Sequence, residues 1–221
     1  MVCFVILAII VLIAIFAPLI CSWLGVDPYA LDPTAIDTNE AGKPIGPWAG
    51  ASLSHPLGVE WGTGRDILAR MLYGLRISLL IATAATILTT TIGTVVGIIA
   101  GYSRGWVDSA LARFMDVILA FPFLLIILAL SGALTDRITA LGVPEGNASR
   151  ITYLIVILSL FGWPYLARIV RGQVLSLRER EFVESAIASG AGTPRILFSE
   201  ILPNLWAVSY THLTLPTILL V

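Results

Sequence analysis

Few side chains in this sequence have the types and spacing that chemistry requires. His55 and His212 lie far apart, and neither has a visible base or metal-ligand partner in the sequence. A catalytic site needs at least two positioned groups. The chain contains no G-x-x-x-x-G-K-[ST] phosphate loop and no H-E-x-x-H pattern. We therefore predict that the chain is not an enzyme and that it binds no cofactor and no metal ion.

The composition places the chain in a membrane. Of its 221 residues, 57% are hydrophobic and 12% are charged, whereas a soluble domain has about 25% charged residues. The mean hydropathy is +0.93, and the apolar residues stand in long blocks, which indicates that the lipid bilayer surrounds much of the chain. The net charge of −1 gives no reason to expect nucleic-acid binding. The two cysteines, Cys3 and Cys21, share one apolar block and predict no disulfide framework.

Four apolar runs predict membrane-spanning helices, and the fold class is therefore an all-α polytopic bundle. The runs are Val2–Leu24, Ile77–Gly101, Val117–Leu134 and Ile151–Val170. At about 1.5 Å per residue, the first run can cross a hydrocarbon core of about 30 Å. A cleaved signal peptide would be shorter and would follow basic residues. Because no basic residue precedes the run, we expect the native N-terminus to lie further upstream.

Two features inside the runs predict how the helices pack. Gly93, Gly97 and Gly101 recur every four residues on one face of the second run, and small residues at this spacing allow another membrane helix to approach closely. Pro122 lies near the start of the third run, where it can kink the helix.

The segments between the runs differ in character. Residues 25–64 contain several prolines and glycines and predict an ordered extramembrane loop without long helices. Residues 65–76 have apolar positions at helical spacing and predict an amphipathic helix that lies in the membrane interface. Short polar links are predicted over 102–116 and 135–150.

A polar helix-turn-helix is predicted after the fourth run. The helical stretch Leu175–Ser189 ends at Gly190-Ala191-Gly192, where glycine permits a sharp stop. Thr193 and Pro194 then fit the cap and first residue of a second short helix that continues towards Leu202.

The segment Glu184–Asn204 resembles the EAA loop of the permeases of bacterial ATP-binding-cassette importers. The matching residues are Glu184, Ala186, Gly190, Ile201, Leu202 and Pro203. Stretches further upstream are similar to the C-type subunit of dipeptide, oligopeptide and nickel importers. These are HPLG at 55–58, GRDILARMLYGLRISLL at 64–80, GYSRGWVDSALARFMDVILAFP at 101–122 and GWPYLARIVRGQVLSLRERE at 162–181. The resemblance covers most of residues 2–207, with two departures in the loop: Ser185 replaces the usual second alanine, and Glu200 stands where this branch commonly has histidine.

The resemblance implies a permease-type bundle of the bacterial inner membrane, with four full spans and a truncated fifth. Such a subunit forms half of a translocation path for short peptides, nickel or other small solutes. Its implied partners are a B-type permease subunit, two cytoplasmic ATPase subunits that hydrolyse ATP, and an extracytoplasmic substrate-binding protein. The EAA-like loop lodges in a cleft of the ATPase and transmits its closure to the spans. In that role Glu184 is expected to pair with an arginine, on the partner or at Arg180.

This assignment divides the chain into three parts. Residues 1–76 comprise the first span, the extracytoplasmic loop and the interfacial helix. Residues 77–207 form the permease domain with the coupling loop 172–202 on the cytoplasmic side. Residues 208–221 resemble the conceptual translation of a sequencing-library adaptor and are predicted to be a non-native tail. Basic residues divide almost evenly between the two predicted sides, so the orientation rests on the resemblance. Without a sixth span, the chain by itself is expected to form no active importer.

Two other functions remain open. An ion-coupled secondary transporter would be expected to carry paired charges or unwound helices at the membrane midplane. A membrane-embedded hydrolase would carry catalytic Ser, His, Asp or Glu groups inside the spans. The runs contain Pro122 and Pro164, but no accompanying charged pair near the middle of a run.

Overall fold

The computed structural model describes residues 2–205, and most of them are helical. The chain forms two compact units, 1–83 and 84 onward, which are described separately below. The elements, numbered in chain order, are α1 (Val2–Leu24), β1 (Ile36–Asp37), β2 (Lys43–Pro44), α2 (Ile67–Tyr102), α3 (Trp106–Ala120), α4 (Phe123–Ala140), α5 (Asn147–Leu177), α6 (Glu181–Ala188) and α7 (Thr193–Arg195). A π-helix over Ile196–Ile201 and one further helical turn continue α7 to residue 205.

The first unit packs α1 against the beginning of α2. Ala17 and Cys21 of α1 are buried together with Ala69 and Leu72 of α2. Between these helices the chain makes a 3₁₀ turn at Pro33–Ala35, an antiparallel pairing of β1 with β2 and an isolated antiparallel bridge between Val59 and Asp66. The predicted loop without long helices is therefore confirmed.

The prediction of a separate interfacial helix over 65–76 is wrong. Residues 67–102 form one helix of 36 residues, which continues from the amphipathic stretch into the apolar run. Neither proline nor a left-handed glycine interrupts the stretch, since Gly74 remains helical. A change from an amphipathic to an apolar pattern indicates that the helix passes from one environment to another, and it does not by itself end the helix.

The boundaries of the third span are also corrected. The chain leaves the helix at Phe121 and Pro122, whose ψ angles are 135° and 97°, so Pro122 separates α3 from α4 instead of kinking one helix. Proline disfavours the α conformation of the residue before it, and it lacks the N–H that would continue the hydrogen-bond ladder. The span is consequently Phe123–Ala140, and the predicted polar links over 102–116 and 135–150 are largely helical.

The second unit is built around α5. Its inward face carries Tyr153, Ile157, Trp163, Ala167, Val170, Val174 and Leu177, all of them buried. Apart from one step of six residues, successive members of this set are three or four residues apart, which is the spacing of one helix face. The face meets α4 at its beginning, α3 and α2 in its middle, and the segment after α6 at its end.

Four helices of the described part are long and apolar enough to cross a membrane: α1, α2, α4 and α5. The predicted all-α polytopic fold is confirmed by these helices. The predicted truncated fifth span lies largely outside the described residues, and the predicted tail 208–221 lies entirely outside them.

Candidate functional site

The helix-turn-helix after α5 has a well-defined turn. Gly190 has a φ of +79°, which glycine adopts without the steric penalty that a Cβ brings. The N–H of Gly190 donates to the carbonyl of Ile187 at 2.9 Å, and the N–H of Ala191 donates to that of Ala186 at 3.0 Å. These two bonds form a Schellman motif, which satisfies the last carbonyls of α6 and fixes the direction of the following segment.

The inner face of this segment is anchored in the core. Val183 and Ile201 are fully buried, and Ile196 and Leu205 are almost so. They belong to one cluster with buried residues of α2 and α5. Burying one such aliphatic side chain contributes on the order of 1.5–3 kcal/mol. If the segment moves, either the helices beneath it move as well or the buried contacts of this cluster are broken.

The outer face is open to solvent. Glu184, Ser185 and Ala188 are exposed, and so are two large apolar side chains, Ile187 at 53% and Phe198 at 67%. Exposed apolar side chains flanking a carboxylate are typical of a protein-binding surface. We call residues 184–198 on this side the outer face of the α6–α7 segment.

A cavity of about 260 Å³ opens between α6 and the helix that follows it. Ser185 and Ala186 form one wall, and Arg195 and Glu200 contribute a charge of each sign. Glu200, the residue that departs from the resemblance, is partly buried here. Its backbone carbonyl accepts a hydrogen bond from the Asn204 side chain at 2.7 Å.

The second helix differs from the prediction in two ways. Its N-cap is Gly192 rather than Thr193, and Pro194 lies in the first turn. Over Ile196–Ile201 the helix is of the wide π type. Pro203 supplies no N–H for an α-helical bond to Ser199 and its ring would crowd that carbonyl, and a wider turn relieves this conflict.

The predicted coupling residues therefore fall into two groups. Glu184, Ser185 and Pro203 are exposed, whereas Ile201 is buried, and Ala186 and Leu202 are partly buried against the same core. Gly190 forms the turn between the two helices. Within the described part of the chain, the side chain of Glu184 forms no ion pair. Its contact with Arg180 is a backbone hydrogen bond, in which the Glu184 N–H donates to the Arg180 carbonyl at 3.2 Å.

The three predicted packing glycines lie against α5. A Cβ added at Gly93 would come within 3.0 Å of Leu166, one at Gly97 within 2.7 Å of Val170, and one at Gly101 within 2.6 Å of Val174. Real Cβ atoms essentially never approach other atoms as closely as they would at Gly97 and Gly101, and the distance at Gly93 is tighter than nine in ten real contacts. The backbone of α2 thus runs directly over the side chains and carbonyls of α5, which are the residues beneath the α6–α7 segment.

Ion pairs join α3 to α5 and were not predicted. Arg171 binds Asp108 through both carboxylate oxygens, with Nε to Oδ1 at 2.5 Å and Nη2 to Oδ2 at 2.8 Å. Arg168, which lies one turn before Arg171 on α5, pairs with Asp116 of α3. The hydrogen bonds from Arg171 hold the pKa of Asp108 below its usual range, and the charges of Arg171 and Arg178 act in the same direction. Acidic and basic residues at the span ends were visible in the sequence, but nothing local indicated which of them pair.

His55, which has no partner near it in the sequence, has two in the structure. Its Nδ1 lies 3.0 Å from Oδ2 of Asp66, and its Nε2 lies 3.3 Å from Oδ2 of Asp32. Asp66 is buried, and its Oδ1 accepts the N–H of Ala69 at 2.7 Å, which caps the start of α2. Hydrogen bonds from Thr34 and then from His55 lower the pKa of Asp32. The triad therefore ties the loop to the start of α2, and it includes no nucleophile bonded to the imidazole.

No group of three His, Cys, Asp or Glu residues in the described part of the chain is arranged to hold a metal ion. Glu60 of the loop accepts a hydrogen bond from Thr63 and forms an ion pair with Arg70. These contacts, the Thr63 hydroxyl first, lower the pKa of the Glu60 carboxyl.

Comparison with known proteins gives consistent matches. The family described as binding-protein-dependent transport system inner membrane component matches residues 93–221. The chain is 36% identical over 205 residues to the dipeptide transport system permease protein DppC of Alkalihalophilus pseudofirmus, which covers 93% of this chain and 58% of that protein.

Two oligopeptide transport system permease proteins OppC are similarly related. That of Haemophilus influenzae is 36% identical over 160 residues, or 72% of this chain and 47% of that protein. That of Bacillus subtilis is 35% identical over 204 residues, or 92% and 58% respectively. The chain thus spans about half the length of the curated relatives it matches.

Proposed function

Because this chain belongs to the family of binding-protein-dependent transport system inner membrane components, we propose that it acts as a permease subunit of an ATP-driven importer. It is a multi-pass inner-membrane protein with four apolar helices long enough to cross the bilayer in its described part. In the proposed function it forms half of the path for short peptides, with nickel and other small solutes as further candidates. The relatives named as dipeptide and oligopeptide permeases support the peptide assignment.

The observation that carries the proposal is the two-sided construction of the α6–α7 segment. Its inner face shares a core with α2 and α5, while its outer face exposes Glu184, Ile187 and Phe198. A partner that grips the outer face would displace the membrane helices through the inner one. This is the mechanical requirement for a subunit that receives energy from another chain.

The proposed partners follow from that requirement. Two cytoplasmic ATPase subunits would bind the outer faces of this chain and of a homologous B-type permease subunit. An extracytoplasmic binding protein would deliver the solute at the opposite side of the membrane. Residues 172–202 would then be cytoplasmic, and the loop 25–66 would be extracytoplasmic. An ion-coupled transporter remains the alternative function, and no described feature favours it.

The test uses the complete permease, expressed with its neighbouring transport genes in a strain that lacks its own peptide importers. We expect ATP-dependent uptake of labelled dialanine or labelled trialanine. Glu184→Lys on the outer face should abolish both uptake and co-purification of the ATPase, because it reverses the charge at the centre of the proposed contact. Glu145→Lys is the matched control, since Glu145 is exposed in the link between α4 and α5.

The outcomes separate the alternatives. Uptake that persists after the ATPase genes are deleted but collapses with the proton gradient would favour the ion-coupled transporter. Loss of uptake without loss of ATPase binding in Glu184→Lys would refute the proposed contact. Equal effects of the two substitutions would show that added positive charge, and not its position, is responsible.

A further inference from the structure

The C-terminal end of α2 is held by an arginine from another helix. Arg178, the C-cap of α5, donates from Nη1 to the carbonyl of Gly101 at 3.1 Å and to that of Ser103 at 3.3 Å. The last carbonyls of a helix lack partners within it and carry the negative end of its dipole. The last turn of α2 has no basic residue of its own. Arg178 therefore supplies the cation that α2 lacks.

The same region contains the closest approach of α2 to α5. A Cβ at Gly101 would come within 2.6 Å of Val174 and 2.8 Å of the Arg171 carbonyl. Val174 is fully buried and lies one turn before Arg178 along α5. Steric contact and hydrogen bonds thus act on the same turn of α2.

Arg178 also takes part in the charge arrangement on α3. Its positive charge lowers the pKa of Asp108, which Arg171 already binds through both oxygens. Its Nε is buried and has no hydrogen-bond partner among the described residues. Since one donor of Arg178 is unsatisfied, its other contacts hold it in place, and these are the carbonyls of Gly101 in α2 and of Ser103 just after α2.

On the other side, Arg178 is three residues before α6. Leu177 and Val183 belong to the buried cluster that anchors the α6–α7 segment. When that segment is displaced, its apolar contacts move α5 with it. The hydrogen bonds of Arg178 then connect α5 to the end of α2.

We propose that Arg178 is a positioning residue that makes the end of α2 follow the α6–α7 segment when a partner displaces it. The proposal rests on the proposed function, because the displacement comes from the ATPase. With Arg178 in place, α2 and the α6–α7 segment move as one body. Without it, only the apolar contacts of Ile98 and the close approach at Gly101 hold α2, and its end lags behind.

The test measures distances between spin labels in the complete importer, reconstituted in lipid, without nucleotide and with trapped ATP. The first pair, Arg104→Cys with Glu181→Cys, reports the separation between the end of α2 and α6. The second pair, Leu141→Cys with Glu181→Cys, reports the movement of α6 relative to the far end of α4. Both double-cysteine pairs are introduced into a protein that lacks the native cysteines, Cys3 and Cys21.

In the wild-type background we expect ATP to change the second distance and to leave the first unchanged. In Arg178→Gln, ATP should change the first distance by about 2 Å, the scale of helix shifts in switching proteins. Arg178→Lys should restore the constant first distance, since an ammonium can donate to both carbonyls. Arg113→Gln is the matched control, because Arg113 is an exposed arginine on α3.

A purely structural role for Arg178 would lower the yield of Arg178→Gln without making the first distance nucleotide-dependent. The proposal would be overturned if ATP changed the first distance in the wild-type background. It would also be overturned if ATP left the first distance unchanged in Arg178→Gln. If ATP leaves the second wild-type distance unchanged, it is the proposed importer function that fails.

Discussion

Replacing Gly97 by alanine tests whether α2 and α5 are as close as the structure has them. The new Cβ would lie 2.7 Å from the Ala167 carbonyl oxygen and 2.7 Å from Cβ of Val170. Ordinary contact begins at 3.4 Å, so the two helices must separate by roughly 0.7 Å, the difference of these values, at this crossing. Overpacking of this kind costs about 1–3 kcal/mol.

The control is Gly132→Ala in the interior of α4, where no atom lies within 4 Å of the added Cβ. Both substitutions gain about 1 kcal/mol from the higher helix propensity of alanine. This gain cancels in the comparison, so the steric cost alone separates the two variants. The free energy of unfolding of Gly97→Ala should therefore be about 1–3 kcal/mol lower than that of Gly132→Ala.

The assay is thermal unfolding of the 221-residue chain in one detergent, followed by tryptophan fluorescence. For a chain of this size 1 kcal/mol corresponds to about 2–4 °C, so we expect Gly97→Ala to melt about 2–12 °C below Gly132→Ala. Gly93→Ala should show a smaller difference, since its nearest atoms are at 3.0 Å. A Gly97→Ala protein that melts at or above the temperature of Gly132→Ala would refute the close approach of the two helices.

Three further predictions concern the turn, the ion pair and the loop. Gly190→Ala should destabilise the α6–α7 segment by about 1–2 kcal/mol, because alanine is strained at a φ of +79°; faster hydrogen exchange over 181–195 checks this, and unchanged exchange contradicts it. Asp108→Asn should lower stability by about 1.5–3 kcal/mol, the contribution of hydrogen bonds to charged groups, measured by thermal unfolding. The pKa of Asp108 is lower in the folded than in the unfolded protein. Its contribution to stability is therefore complete above the unfolded pKa of about 3.9 and is lost as the pH falls through the folded pKa. If the stability difference between wild type and Asp108→Asn vanished already between pH 7 and 5, this prediction would be contradicted. His55→Ala should increase proteolysis of the loop 25–66 without altering hydrogen exchange in α5, because its ring bonds both Asp32 and Asp66; equal protection of the loop in both proteins would refute the triad.

The sequence identifies the features that depend on neighbouring residues. Length and apolarity define membrane helices because the bilayer sets a minimum span, and this was enough for the four spans and the fold class. The turn at Gly190 was equally accessible, since glycine ends a helix through its own backbone freedom. The spacing of Gly93, Gly97 and Gly101 predicted a packing face, but not which helix lies against it.

Element boundaries were less accessible where two local signals competed. Pro122 inside an apolar run was compatible with a kink or a break, and the structure has a break. The amphipathic stretch 65–76 was compatible with a separate helix, yet it continues into α2. Hydrophobic pattern describes which face of a helix meets water or lipid, and it contains little information about where that helix ends.

Contacts between distant residues were decided by the tertiary structure alone. Arg171 pairs with Asp108 across 63 residues, Arg178 reaches Gly101 across 77, and His55 meets Asp32 across 23. Each of these side chains reads in the sequence as an ordinary charged or polar residue near a span end or in a loop. The packing of α2, α3 and α5 brings the first two pairs within hydrogen-bond distance, and the fold of the loop brings the third. The sequence by itself determined that this chain crosses the membrane and carries a helix-turn-helix, whereas the fold decided which charges connect that segment to the spans, because hydrogen bonds depend on ångström distances that sequence separation does not specify.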